Sequence, residues 1–475
     1  MTATTATLPR DGAGKHTWMF AAVALGAFGI VSGGALALGE TAAFYLSLSI
    51  IVGITVLLDF RMGAVLLILT LPFSNTSYFP HNLFGIGGLN PTNLLFAATL
   101  LSYVLRHKIS VLLPRQLVWL FVVPILLAGL MGMRHVDDIP LAFEAVLATP
   151  INGPVDYYRD FVVRPLLLPL MAMLIAAAVA RSAKPERFLV PILASMWLIA
   201  LLEIGFIAAS GVSLSQLASP TARSFFSEIG LHANDFGRFF AGSGALLLFV
   251  WWEAKNPALK LTLFATLCVT GIALLLTFSR SGYLAFLVAS GLFMLWKFNI
   301  RSVSLALFGV GLIAVIAPGY VWHRATFGFD ADANTVSADR LEGIWKPLWP
   351  ELWNSPIWGN GIDALMWSAP LKAGEIPLVS HPHNAYLQTF YDMGFIGLGL
   401  MLAFYWHVWK GFRSLGSNPY ITPELRGFFQ GGAAALICLL VTGFSGGSLR
   451  PEVNFACLWI AIGMMYGMLA RRPAA

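Results

Sequence analysis

SHPHNAYLQTFYDMGFIGLG, Ser380–Gly399, sets a polar cluster of two histidines and an asparagine directly against the start of a hydrophobic run. Pro382 cannot continue a helix behind it and biases His381 toward extended backbone, so His383 and Asn384 fall at a helix start, where first-turn N–H groups are free. An anion fits such a place. The apolar run that follows is one of many. The 475 residues are 58% hydrophobic and 11% charged, with mean hydropathy +0.76, which excludes an ordinary soluble domain. Fourteen apolar segments can be drawn, at roughly 17–38, 42–58, 62–72, 91–105, 117–133, 161–180, 188–210, 234–252, 258–277, 282–299, 302–320, 387–409, 427–444 and 453–470. The third is short and the fourth barely long enough, so the expectation is an all-α, polytopic transmembrane bundle of about 12–14 helices, one integral domain over 1–475. The first apolar segment follows a short polar start, Met1–His16, without a small-residue cleavage site, and reads as a first span rather than a removed signal.

Charge sets the expected orientation. Alternating the sides collects 18 of the 29 basic residues on one face, in short loops from Arg10 and Lys15 to Arg471 and Arg472, which makes that face cytoplasmic with both termini inside. The net charge of +6 is therefore a topology signal, and no nucleic-acid partner is expected. The opposite face carries the long segments, of which 321–386 is the largest. Within it Arg340–Asn354 has apolar residues at helical spacing, with Trp345, Trp349 and Trp353 four apart and Pro347 and Pro350 as kinks. That pattern reads as an amphipathic helix anchored at the bilayer interface, or as a lid over an outer cavity. Ser337 is a candidate cap, Asp330–Ala338 reads as irregular, and Asn354–Gly361 as a tight turn. Cys268, Cys438 and Cys457 are isolated in apolar segments and read as small core residues.

The candidate chemistry lies on the same outer side. Arg280, between Ser279 and Ser281 and ahead of Gly282, sits where two apolar runs meet; it either snorkels to headgroups or captures an anion in fork geometry. Arg340 either pairs with Asp339 or Glu342 or joins the same anion site, and Arg223 in another outer loop either joins them or is a solvated loop residue. His383, with an ordinary pKa near 6.5, is a candidate general base. Two residues apart, His381 and His383 are expected on opposite sides of an extended strand, and no metal set is expected from them or elsewhere. Glu203, deep in its apolar segment, needs a partner or a polar cavity; Arg164 and Arg238 are the candidates, and an ion or proton site is the alternative.

Taken together, His383-Asn384 followed by Leu387 and Gly394, the Ser279–Gly282 turn, and Arg340 upstream of Trp345 and the Pro356/Gly359/Gly361 turn resemble the O-antigen ligase and polymerase superfamily, most strongly over 277–397. The resemblance implies an inner-membrane helical glycosyltransferase that moves glycan from a polyprenyl-diphosphate-linked oligosaccharide to a saccharide acceptor, lipid A core or a growing glycan, on the periplasmic side. It implies that Arg280 and Arg340 bind the donor diphosphate, that His383 acts near the acceptor hydroxyl as base, and that Arg223, Asn384 and His381 contribute to binding. It also implies inversion at the anomeric centre, no cofactor and no metal. The segment 321–386 becomes the large periplasmic loop. Asp392 stands where a glutamate is common in the family, a departure read as minor. The competing class is a secondary transporter of a small solute or anion using Glu203; against it, no pair of interrupted helices stands out in the sequence.

Overall fold

A computed structural model describes residues 29–30, 33–34, 36–39, 41–107, 113–145, 147, 151–316, 318–326, 332–446 and 448–471. The chain is an all-α membrane protein. Among the described residues the only sheet is a two-stranded hairpin, Asn82–Leu83 with Ile86–Gly87. Six described helices are long and apolar enough to cross a bilayer: Arg115–Asp138, Pro154–Ala180, Pro185–Ser210, Pro257–Leu276, Ala385–Gly416 and Pro423–Ser445. Five more are apolar but 10–17 residues long, and Ala233–Glu253 has the length but carries Asp235 and Arg238 in its first two turns. Most of the first expected span lies outside the described residues.

Two compact units are distinguished, residues 1–63 with 80–102, and residues 64–79 with 103–475. In the first, Gly63 lies where an added Cβ would sit 2.1 Å from the Thr99 hydroxyl, so the helix containing it closes on Pro91–Arg106 only because it has no side chain there. In the second, the helices used below are Leu189–Ser210 (α1), Ala233–Glu253 (α2), Pro257–Leu276 (α3), Arg280–Trp296 (α4), Ala385–Gly416 (α5) and Pro423–Thr442 (α6). α2 is central to this unit. Gly427 and Gly431 of α6 bring the α2 backbone so near that a Cβ at either would meet Phe249 or Leu246 backbone atoms at 2.5–2.6 Å. Small residues at helix contacts let backbones approach and gain dispersion where lipid offers no hydrophobic drive.

The outer segments hold more structure than irregular loops. The Trp-rich stretch is helical but changes type along its length, running as Leu341–Trp345, Lys346–Leu348 and Pro350–Trp353, with Pro347 and Pro350 removing donors. Asp332 caps a short helix, Ala333–Val336, in the stretch read as irregular, of which 330 and 331 lie outside the described residues. Ser337 Oγ accepts from Leu341 N at 3.1 Å, four residues on, while Arg340 is the residue that flanks the Leu341–Trp345 helix. Trp349 and Trp353 are exposed while Trp345 turns inward, so the three indoles do not form one anchoring row. Cys438 and Cys457 are buried, but Cys268 is exposed, contrary to its reading as a core residue.

α5 departs most from its sequence reading. It is interrupted at Gly394 (φ 64°, ψ −170°), and the Asn354–Gly361 turn enters the break. Phe395 N donates to Pro356 O at 2.8 Å, Ile396 N to Ile357 O at 3.3 Å, Asn360 N to Tyr391 O at 2.9 Å and Gly361 N to Asp392 O at 3.0 Å. The backbone groups freed by the interruption are thus satisfied by protein, the condition for irregular backbone at membrane depth. A Cβ at Gly394 would lie 2.2 Å from Ile357 O, and one at Gly359 2.3 Å from Asp392 O. The interruption is a built feature of this one helix, whose sequence reads as an unbroken apolar run.

Candidate functional site

The site starts at the N-terminus of α2. His232 Nδ1 accepts from Asn234 N at 3.1 Å, while Asp235 accepts from His232 N at 3.2 Å, a reciprocal cap that fixes the first turn. Asn234 is then free to accept, through Oδ1, a 2.9 Å hydrogen bond from the Ser279 hydroxyl. Ser279 in turn caps α4 by accepting from Gly282 N at 3.2 Å. Phe278 before it is left-handed (φ 49°), and its carbonyl receives Nε of the buried Arg324 at 3.4 Å. Gly282 faces Gly237 so closely that a Cβ would be 2.8 Å from the Gly237 Cα. Arg280 therefore opens α4 from a turn fixed by cap, hydrogen bond and close packing. A void of about 10 Å³, room for one water, lies among Asn234, Thr277, Phe278 and Arg324.

The histidine stretch is built differently. Asn384 caps α5, its Oδ1 accepting from Tyr386 N and Leu387 N at 3.1 Å each, as its place after Pro382 suggested. His383, however, is left-handed (φ 55°), which turns its ring back onto His381 with centroids 4.3 Å apart. The expectation that the two imidazoles point to opposite sides fails because it assumed extended backbone at His383. Trp345 Nε1 donates to Pro382 O at 2.8 Å and ties the Arg340 segment to this turn. Arg340 itself follows two left-handed residues, Ala338 and Asp339. Of its sequence-level partners, Glu342 forms an ion pair with Lys346, and Asp339 accepts from Asn334.

Electrostatics join these pieces. Burial, and then the positive fields of His381, Arg340, Arg238 and His232, push the His383 pKa down to about 3. His381 is lowered for the same first reason, burial, against a raising contribution from Asp363. At neutral pH both rings are uncharged, so His383 is able to accept a proton, although as a weak base. The structure brings Arg340, His381, His383 and Asn384 together. Arg280 follows Ser279, which is hydrogen-bonded to Asn234 of α2. Arg223 lies on the helix Pro220–Ile229, and its side chain is outside the described residues.

Three groups that sequence reasoning did not place here belong to the surroundings. Arg238, two turns into α2, acts on both histidines. Arg450 pairs with Asp363 and donates to Phe161 O at 3.1 Å. Gln388 Nε2 donates to both oxygens of the buried Asp392 at 2.9 and 2.8 Å and to Asp363 at 3.3 Å. Asp392, read as a minor departure, is thus a hub that also accepts from Ala364 N at 3.2 Å. The signal available in sequence was the charge itself inside an apolar run.

Glu203 is fully buried in α1, and among the described residues neither carboxyl oxygen has a hydrogen-bond partner. The partners suggested from sequence are not its partners: Arg238 lies 3.8 Å from Asp235 and 4.0 Å from Glu452, and no ion pair joins Arg164 to Glu203 among the described residues. A separate cavity of about 310 Å³, lined by Gln116, His407, Tyr466 and alanines of Arg164–Ala180, shares no residue with the site.

Residues 263–402 match the family model described as O-antigen ligase. No curated protein matches the chain. The matched stretch takes in the Ser279 cap, Arg280, Arg340, Trp345, the Asn354–Gly361 turn, both histidines and the interruption at Gly394; Arg238 and Arg450 lie outside it. The match over residues 263–402 supports the resemblance of this part of the chain to the O-antigen ligase superfamily.

Proposed function

We propose that the protein is an inner-membrane glycosyltransferase that moves glycan from a polyprenyl diphosphate carrier to an acceptor sugar, as an O-antigen ligase or an O-antigen or exopolysaccharide polymerase. In this reading both termini are cytoplasmic, 321–386 is the large periplasmic loop of a single integral domain, and the reaction takes place at the periplasmic face. The observation that carries it is the convergence of Arg340, Arg238 and His232 on an uncharged His383, with Trp345 pinning the Arg340 segment to the histidine turn.

The acceptor hydroxyl attacks the anomeric carbon from the side opposite the diphosphate. The new C–O bond forms as the bond to the diphosphate oxygen breaks, and the configuration inverts. The hydroxyl proton passes to an unprotonated ring nitrogen of His383, while the leaving diphosphate gains the electron pair and one negative charge. Arg280 and Arg340 stabilise that charge with planar, two-point geometry, a role that a divalent cation fills elsewhere. His381, Asn384 and Arg223 line the binding region. A diphosphate beside Arg340 offsets the field that depresses His383, so the base strengthens when the donor is bound.

Glycan transfer in proteoliposomes, with a polyprenyl-diphosphate oligosaccharide as donor, tests this. Longer lipid-linked glycan identifies a polymerase; labelled lipid A core identifies a ligase. The second reading, a transporter of a small solute or anion, draws on one observation, the buried carboxyl of Glu203, which has no hydrogen-bond partner among the described residues. It predicts solute flux that depends on Glu203 and no glycan transfer.

A further inference from the structure

Arg238 is only 7% exposed, and yet it is not satisfied by its surroundings. Among the described residues its Nε has no hydrogen-bond partner, and the one hydrogen bond its guanidinium makes is a long one, from an Nη atom to Ser445 O at 3.3 Å. Its nearest carboxylates, Asp235 at 3.8 Å and Glu452 at 4.0 Å, stand beyond hydrogen-bond reach. Both acids are engaged elsewhere: Asn454 Nδ2 donates to Asp235 at 3.0 Å and to Glu452 at 2.7 Å, and Asp235 also holds the α2 cap. A guanidinium carries five N–H donors, and a buried one with so few partners is costly unless another anion completes it.

Its place in the fold says which anion. Arg238 follows Gly237, which packs on Gly282, and lies one turn after Asn234, which holds Ser279 next to Arg280. It also acts on His381 and His383 together with Arg340. Gly446 lies against its guanidinium, where a Cβ would stand 3.3 Å from an Nη atom. We propose that Arg238 is a third guanidinium of the donor site, binding a phosphate oxygen of the lipid-linked diphosphate. This rests on the glycosyl-transfer reading above. A diphosphate diester carries two negative charges and leaves as a monoester with one more. Arg238 receives the oxygen on which that further charge is shared.

The test is equilibrium binding of farnesyl diphosphate and farnesyl monophosphate to the full chain in detergent at pH 8, comparing wild type with Arg238→Gln, Arg238→Lys, Glu452→Gln, Arg280→Gln and Arg340→Gln. Arg238→Gln is expected to weaken diphosphate binding about ten- to a hundredfold, with a smaller loss for the monophosphate. Arg238→Lys should recover part of it. Glu452→Gln, which removes a competing carboxylate, should tighten binding. Wild-type affinity in Arg238→Gln, or no tightening in Glu452→Gln, overturns the proposal; if Arg238→Gln does not fold, Arg238→Lys and Glu452→Gln decide. Should Arg280→Gln and Arg340→Gln lose affinity while Arg238→Gln keeps it, this inference alone fails. If none of the three loses affinity, the donor reading fails with it.

Discussion

Trp345 Nε1 donates to the carbonyl of Pro382 at 2.8 Å, across 37 residues of chain, and so couples the segment that carries Arg340 to the turn that carries His383. Trp345→Phe keeps the ring and removes the donor. Transfer should fall by up to about tenfold, the value of one hydrogen bond, with thermal stability in detergent nearly unchanged. Equal loss of stability and activity would mean that the indole only packs.

Acid sensitivity should report the arginine field. With His383 depressed to about 3, the free enzyme keeps it neutral well below pH 5, so protonation of this ring should not limit kcat/KM until low pH. A bound diphosphate raises the pKa, and the acid limb of kcat should lie at higher pH than that of kcat/KM. In Arg340→Gln one positive neighbour is gone, so the kcat/KM limb should also move to higher pH. Profiles that coincide in all three cases would remove His383 from the proton transfer.

The interruption of α5 should be intolerant of any side chain. Gly394→Ala combines a left-handed backbone with a Cβ 2.2 Å from Ile357 O, so it should cost about 3 kcal/mol or more of stability. Gly399→Ala, five residues further along the same helix with nothing within 4 Å, should be neutral or slightly stabilising. Thermal unfolding of the two variants in detergent checks the contrast.

Glu203→Gln should leave glycan transfer within about twofold, because the carboxyl it replaces makes no hydrogen bond among the described residues and takes no part in the proposed chemistry. Loss of transfer, measured with the same donor and acceptor, would bring Glu203 into the mechanism.

The sequence carried the local part of this arrangement. Asn384 after Pro382, Ser279 ahead of Gly282 and the prolines inside the Trp-rich stretch each act within a few residues, and a one-dimensional reading finds them. What it missed is non-local. Histidine is among the non-glycine residues enriched in the left-handed region, but that conformation is uncommon even for histidine, and at His383 the surrounding contacts fix it. The interruption at Gly394 is completed by Pro356 and Ile357, almost 40 residues earlier, so an apolar run with Gly394, Gly397 and Gly399 did not show which glycine breaks it. Arg238 looked like a partner for Glu203 because both are charges near apolar segments; only the fold shows that Arg238 faces Asp235, Glu452 and the histidines.

Metal-independent glycosyl transfer by arginines and a neutral histidine can be measured in a transfer assay on purified protein in proteoliposomes. Wild type is compared with Arg280→Ala, Arg340→Ala and His383→Ala, each with and without chelator, using a polyprenyl-diphosphate oligosaccharide donor and a saccharide acceptor. Chelator-resistant transfer is expected in wild type, with a fall of roughly 10²- to 10⁴-fold in His383→Ala and comparable or larger losses in the arginine variants, folded protein being retained. Transfer abolished by chelator, or undiminished in His383→Ala, would contradict it.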